Sequence, residues 1–120
     1  MKKIDLFFNI YGTYELVDGF YNVDGHVKLK SPMDLIIVDK LPIKFGKVTG
    51  DFLCNSNYLK TLEGCPSYVG CNFRCDNNKL ESLKGCPSYV GGDFWCSGNE
   101  YNLKNTKEYR QYEILKKLRK

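Results

Sequence analysis

The side chains best suited to chemistry are six cysteines, one histidine and fourteen scattered carboxylates. The cysteines are Cys54, Cys65, Cys71, Cys75, Cys86 and Cys96, and no two stand in the C-x-x-C spacing that a zinc site favours. His26 is the only histidine, so a histidine-based metal cluster is excluded. Neither the phosphate-cradling G-x-x-x-x-G-K-[ST] loop nor the G-x-S-x-G nucleophile elbow occurs. These residues give no catalytic or metal-binding constellation, and the reading is a protein that is not an enzyme and uses no cofactor.

The cysteines make sense once the chain is read for repeats. Residues 48–68, VTGDFLCNSNYLKTLEGCPSY, return 21 residues later as VGCNFRCDNNKLESLKGCPSY, and VGGDFWCSGN at 90–99 begins a third copy. Val48, Val69 and Val90 fall in register, as do Phe52, Phe73 and Phe94, Cys54, Cys75 and Cys96, and Asn57, Asn78 and Asn99. Leu59 matches Leu80, Leu62 matches Leu83, and CPSY at 65–68 matches CPSY at 86–89. A fixed period near 20 residues means one solenoid turn per copy. Within a copy, F-x-C-x-x-N-x-L-x-x-L has the spacing of a leucine-rich repeat, with Phe and Cys at two leucine positions. The fold expected is a β-rich solenoid: a short, right-handed, leucine-rich-repeat-like coil with parallel strands. A two-sided antiparallel sheet is the alternative.

Residues two apart in a strand share a face, so Phe73 and Cys75 point together into the core. Cys54, Cys75 and Cys96 then form a ladder. Stacked strand positions hold their Cβ atoms about 4.8 Å apart and pointing the same way. A disulfide needs facing Cβ atoms about 3.8 Å apart, so free thiols, and with them a reducing cytoplasm, are expected. Asn57, Asn78 and Asn99 should form a buried amide ladder that satisfies the backbone of neighbouring turns.

Upstream, Val23, Gly25, Val27 and Leu29 track Val48, Gly50, Phe52 and Cys54 in a worn copy four residues longer. The organisation expected is one domain: residues 1–22 as an N-terminal β cap, 23–103 as about three and a half repeats, and 104–120 as a basic C-terminal capping helix. Ile4, Leu6 and Phe8 alternate as in a strand. Asn105 with Glu108 suggests a capping pair, followed by a stripe of Tyr109, Tyr112, Leu115 and Leu118.

The net charge of +4 is unevenly placed. Residues 48–103 carry four basic and six acidic groups, whereas residues 104–120 carry seven basic and two acidic. This argues against a phosphate-binding surface spread over the fold. No apolar run approaches a membrane span of roughly 20 residues, and Asp5 and Asn9 interrupt the only stretch that resembles a signal peptide.

The elements LPIKFGKVTGDF (41–52), LKTLEGCP (59–66) and VGGDFWCSGN (90–99) resemble a family of phage and bacterial proteins with tandem L-x-S-L-x-G-x-P-x-x-V-G-G-x-F-x-C-x-x-N-x-L units. The resemblance covers about residues 20–100 and implies architecture. It also implies a phage-encoded module that acts in the host cytoplasm by occupying a host protein, as an inhibitor or adaptor, including an anti-defence or anti-CRISPR factor.

Outward strand positions are the candidate contact surface. Asp51, Asn72 and Asp93 form one column, Leu53, Arg74 and Trp95 a second, and Asn55, Asp76 and Ser97 a third. The second column varies completely while the core repeats, and Trp and Arg are typical binding hot spots. Trp95 either stands on the open face or packs under the C-terminal helix against Tyr109 and Tyr112. Two further readings are a nucleic-acid contact through Lys116, Lys117, Arg119 and Lys120, and a homodimer formed edge to edge.

Overall fold

The structure is a computed structural model that describes residues 3–30 and 38–119. The middle of the elongated upstream copy and Lys120 lie outside the described residues.

After a short helix α1 (Lys3–Phe7), strands β1 (Phe8–Val17) and β2 (Phe20–Leu29) form an antiparallel hairpin in unbroken register from Phe8↔Leu29 to Val17↔Phe20. Asp18 and Gly19 close it with φ of 53° and 84°, the left-handed pair whose twist suits a two-residue hairpin. The solenoid starts on β2. Its first half pairs in parallel with β3 (Phe45–Val48), its second half with β4 (Phe52–Leu53). Val23 lies beside Val48 and Val27 beside Phe52, as the worn upstream copy requires.

Two parallel ladders grow from there. One runs from β3 through β5 (Tyr68–Val69) to β7 (Tyr89–Val90), the other from β4 through β6 (Phe73–Arg74) to β8 (Phe94–Trp95). Every step is 21 residues, so Phe52, Phe73 and Phe94 are neighbours in one column. The chain is a parallel-strand β-solenoid of about three turns with an N-terminal strand and a C-terminal helix.

Each repeating turn holds two short strands joined at a corner, a division that a single F-x-C strand does not anticipate. The corner explains the repeated small residues after valine. A Cβ on Gly70 would sit 2.0 Å from the Thr49 carbonyl oxygen, and one on Gly91 equally close to that of Gly70. Successive turns touch there backbone to backbone.

The core is a file of rings. Phe8, Phe45, Phe52, Phe73 and Phe94 follow one another with centroids 5.0 to 6.1 Å apart, and Tyr109 and Tyr112 continue it at 5.5 and 5.2 Å from Phe94. Leu59, Leu62, Leu80 and Leu83 close the opposite wall, fully buried. The amide ladder forms at Asn78 and Asn99, whereas Asn57 donates only to Asn55 O within its own turn and Asn99 is half-buried. Asn78 Oδ1 accepts from the backbone N–H of Asn57 and Leu59, and its Nδ2 donates to the carbonyls of Cys54 and Cys75. Asn99 repeats the pattern one turn on, accepting from Leu80 N–H and donating to Cys75 and Cys96.

Both ends differ in detail from the sequence reading. Lys3–Phe7 is helical, because Ile4 and Phe8 satisfy an i, i+4 spacing as well as an alternation; both are buried while Leu6 is exposed. Strand β2 also crosses the expected boundary at residue 22. The C-terminal helix α2 (Lys107–Leu118) is capped by Thr106, not Asn105. Residues Leu103–Asn105 are consumed in a 3-10 turn, and the Thr106 hydroxyl both donates to Leu103 O and accepts from Tyr109 N–H. Of the expected stripe, Tyr112 is buried and Leu118 is exposed.

All six cysteines are free thiols, and Cys54, Cys75 and Cys96 are buried. Burial is the main force raising the thiol pKa of Cys65 and Cys75 and pushing Cys86 up to about 12 and Cys96 to about 11. Only Cys71 is exposed. An aromatic disulfide reagent should therefore titrate one thiol rapidly in the native protein and all six in denaturant; several fast native thiols would contradict this core. The sign of the pH effect follows. Above the ordinary value of 9.0 the unfolded chain releases thiol protons that the folded chain retains at Cys86 until about 12. Chemical denaturation should show stability holding below pH 9 and falling steadily above it.

Candidate protein-binding face

The outward column nearest the corner is a set of backbone caps. Asn22 Oδ1 accepts from Lys47 N–H at 2.9 Å, His26 Nδ1 from Asp51 N–H at 2.8 Å, Asp51 Oδ1 from Asn72 N–H at 2.8 Å, and Asn72 Oδ1 from Asp93 N–H at 2.9 Å. Each side chain holds the amide of the following turn. The same His26 Nδ1 that accepts from the Asp51 amide lies 3.6 Å from the Asp51 carboxylate. Asp51 and Asn72 are therefore half-buried scaffold residues and not the freely displayed contacts expected of them. Asp93, on the last turn, has no further amide to cap and lies 3.4 Å from Lys116 Nζ.

The middle column does reach solvent, and the register extends it by one residue, Lys28, beside Leu53. Arg74 is fixed from two sides. Its Nε and Nη2 form a bidentate pair with the Asp76 carboxylate at 3.0 and 2.7 Å, and its guanidinium lies 4.3 Å from the centre of the Trp95 ring. The hydrogen bonds to Asp76 raise the Arg74 pKa further, so the charge is permanent. Asp76 is only 3% exposed, which corrects its reading as a displayed residue. Asp76 stands two residues beyond the end of β6, and its carboxylate closes on the Arg74 guanidinium. Asn55 is half-buried and Ser97 exposed.

Trp95 is 48% exposed. The tyrosines of α2 bypass it and pack on Phe94 instead. Packing beneath the helix is thus excluded by the strand phase, which sends Phe94 inward and Trp95 outward. The chain matches no protein-family model, no curated protein and no solved structure.

A cleft of about 450 Å³ lies between β8 and α2, with Trp95, Lys104, Tyr109, Lys116 and Lys117 among its walls. Sequence reasoning missed Lys104 here; its only signal was the excess of lysines after residue 103. The basic tail does not form a single patch. Lys116 reaches Asp93 and the Tyr112 ring, while Arg119 lies 4.9 Å over Tyr89. Arg119 thereby extends a second ladder, in which Lys47 covers Tyr68 and Tyr68 stacks on Tyr89 at 4.8 Å. Lys117 is exposed, and Lys120 lies outside the described residues. Among the described residues, no cluster of three or more His, Cys, Asp or Glu is placed to hold a metal ion, and no helix is long and apolar enough to cross a membrane.

Proposed function

We propose that this chain is a non-catalytic protein-interaction module of leucine-rich-repeat type that binds through the strip Lys28, Leu53, Arg74 and Trp95. The observation that carries the reading is the half-exposed Trp95 ring stacked on an arginine that a buried carboxylate holds in place. An exposed indole with its neighbour already ordered loses little side-chain entropy on binding, which favours a hot spot. The resemblance to tandem-repeat phage proteins favours a host protein as partner and an inhibitory or adaptor role against host defence in the host cytoplasm. A nucleic-acid role for the tail is less favoured, because Lys116 and Arg119 are engaged within the fold.

Trp95→Ala tests the face, with affinity capture from host lysate and mass spectrometry as the readout. Loss of a hot-spot tryptophan should cost about 2 kcal/mol or more of binding, roughly thirtyfold in affinity, while the melting temperature stays nearly unchanged. Arg74→Ala alone would strand the buried Asp76, so it is paired with Asp76→Asn. A control at Tyr58, exposed on another face, should keep the partner. Capture that survives both the Trp95 and the Arg74 variants removes the strip as the binding surface.

A further inference from the structure

The last turn of the solenoid ends in an unfinished strand edge. In the parallel ladder Phe52 and Cys54 donate their N–H groups to the carbonyls of Asn72 and Arg74, and Phe73 and Cys75 donate theirs to Asp93 and Trp95, all at 2.9 Å. The same phase aims the N–H groups of Phe94 and Cys96, and the Phe94 carbonyl, at the place a further turn would take. No described residue bonds to these three groups. Helix α2 packs beside them, but its Tyr112 hydroxyl caps the Gly92 carbonyl instead, at 2.7 Å.

Phe94 and Cys96 are 4% and 1% exposed, and both line the cleft of about 450 Å³ between β8 and α2. Nearly buried backbone donors without a partner are rare in native structures, so these two point to a ligand. The order N–H, C=O, N–H, with the donors about 6.6 Å apart, is what a strand edge offers to another extended backbone. A phosphate chain has no donor to give the carbonyl between them. The cleft walls also keep an excess of positive charge. Lys116 is matched by Asp93, whereas Lys104 and Lys117 are exposed and form no ion pair with a described acid; Glu113 is the other acid in the walls.

We propose that this cleft takes up an extended, acid-bearing segment of a partner protein, which adds to β8 as one more strand between the sheet and α2. Such an occupant rests on the protein-binding role assigned above and extends it from a side-chain strip to a backbone edge. Two carbonyls of the segment accept from the Phe94 and Cys96 N–H groups, and one of its N–H groups donates to the Phe94 carbonyl. Strand addition of this kind draws affinity from main-chain bonds and specificity from the side chains around them. Here Lys104 and Lys117 select carboxylates, and the exposed Trp95 ring supplies apolar contact beside the new strand.

Amide-resolved NMR of the isotope-labelled chain tests this, with a capped pentapeptide, Asp-Val-Thr-Val-Asp, as the probe. In the free protein the Phe94 and Cys96 amides should exchange with deuterium well before those of Phe73 and Cys75, which are bonded. Added peptide should shift the Phe94 and Cys96 amide signals and slow their exchange. A twin with an N-methyl group on its central residue lacks the donor for the Phe94 carbonyl and should bind at least roughly tenfold more weakly. Lys104→Glu with Lys117→Glu, both at exposed positions, should weaken the acidic peptide by a similar factor and favour a Lys-Val-Thr-Val-Lys peptide in its place. Three results would each overturn the proposal: Phe94 and Cys96 amides as protected in the free protein as those of Phe73 and Cys75, no shift of their signals at millimolar peptide, or an N-methyl twin that binds equally well. The outcome is separable from that of the side-chain strip. Peptide binding at these amides, with lysate capture indifferent to Trp95→Ala, keeps the edge and removes the strip. Capture lost on Trp95→Ala, with the Phe94 and Cys96 amides unmoved by peptide, keeps the strip and removes the edge.

Discussion

Asn78→Ala should lower the stability of the fold by about 2–6 kcal/mol. The side chain is buried and joins two turns. It accepts from Asn57 and Leu59 N–H, at 3.2 and 3.1 Å, and donates to the Cys54 carbonyl at 3.0 Å. Alanine has nothing to offer those groups, and the turn is too tightly stacked to admit water without opening. Each buried backbone group left without a partner costs about 1–3 kcal/mol, so two stranded amides alone remove much of a stability expected near 5–15 kcal/mol. The Cys75 carbonyl is spared because Asn99 also donates to it. Asn99→Ala is the internal comparison. It strands Leu80 N–H and takes the donor from the Cys96 carbonyl, but on the last turn, where the side chain is only half-buried and water can reach the site, and should cost about 1–2 kcal/mol. Urea denaturation followed by circular dichroism distinguishes them; equal midpoints for the two variants would mean that Asn78 is not the joint between turns.

Phe73→Ala is the second large effect, and it acts through volume. The ring is fully buried between Phe52 at 6.1 Å and Phe94 at 5.0 Å. Truncating a core phenylalanine costs about 3–5 kcal/mol through lost transfer energy and the cavity left behind. In a solenoid each turn is held only by its neighbours, so a gap at the central ring weakens both interfaces together. Phe73→Leu keeps most of the volume and should lose less than half as much. Thermal unfolding with tryptophan fluorescence gives the readout, since Trp95 stands one turn away. A Phe73→Ala variant as stable as the parent would place that ring outside the core.

What the sequence makes legible is whatever recurs with the period. The inward Phe and Cys columns, the asparagine ladder and the parallel stacking all follow from spacing, because each repeats in every turn and admits one physical reading. Non-repeating features were harder to see. The helical start at Lys3–Phe7 looks like an alternation because Ile4, Leu6 and Phe8 fit both patterns. Thr106 takes the cap because the preceding 3-10 turn shifts the start of α2, and no local motif announces that turn. For the candidate face, strand phase placed Leu53, Arg74 and Trp95 correctly as the outward column. It could not tell that Asp51 and Asn72 spend their oxygens on the next turn's amides, since an outward Asp looks the same whether it caps or displays. The closure of Arg74 on Asp76 was available in principle, for the two opposite charges stand only two residues apart.

The repeats wind as parallel coils in one 21-residue register, with Phe73 inside and Arg74 and Trp95 outside. Scalar couplings across hydrogen bonds in isotope-labelled protein test it most directly. Couplings should appear from the Cys54 amide to the Arg74 carbonyl and from the Cys75 amide to the Trp95 carbonyl, the two bonds of 2.9 Å that step one turn each. Reciprocal couplings between facing residues, the mark of antiparallel strands, or a partner residue out of that register would contradict it.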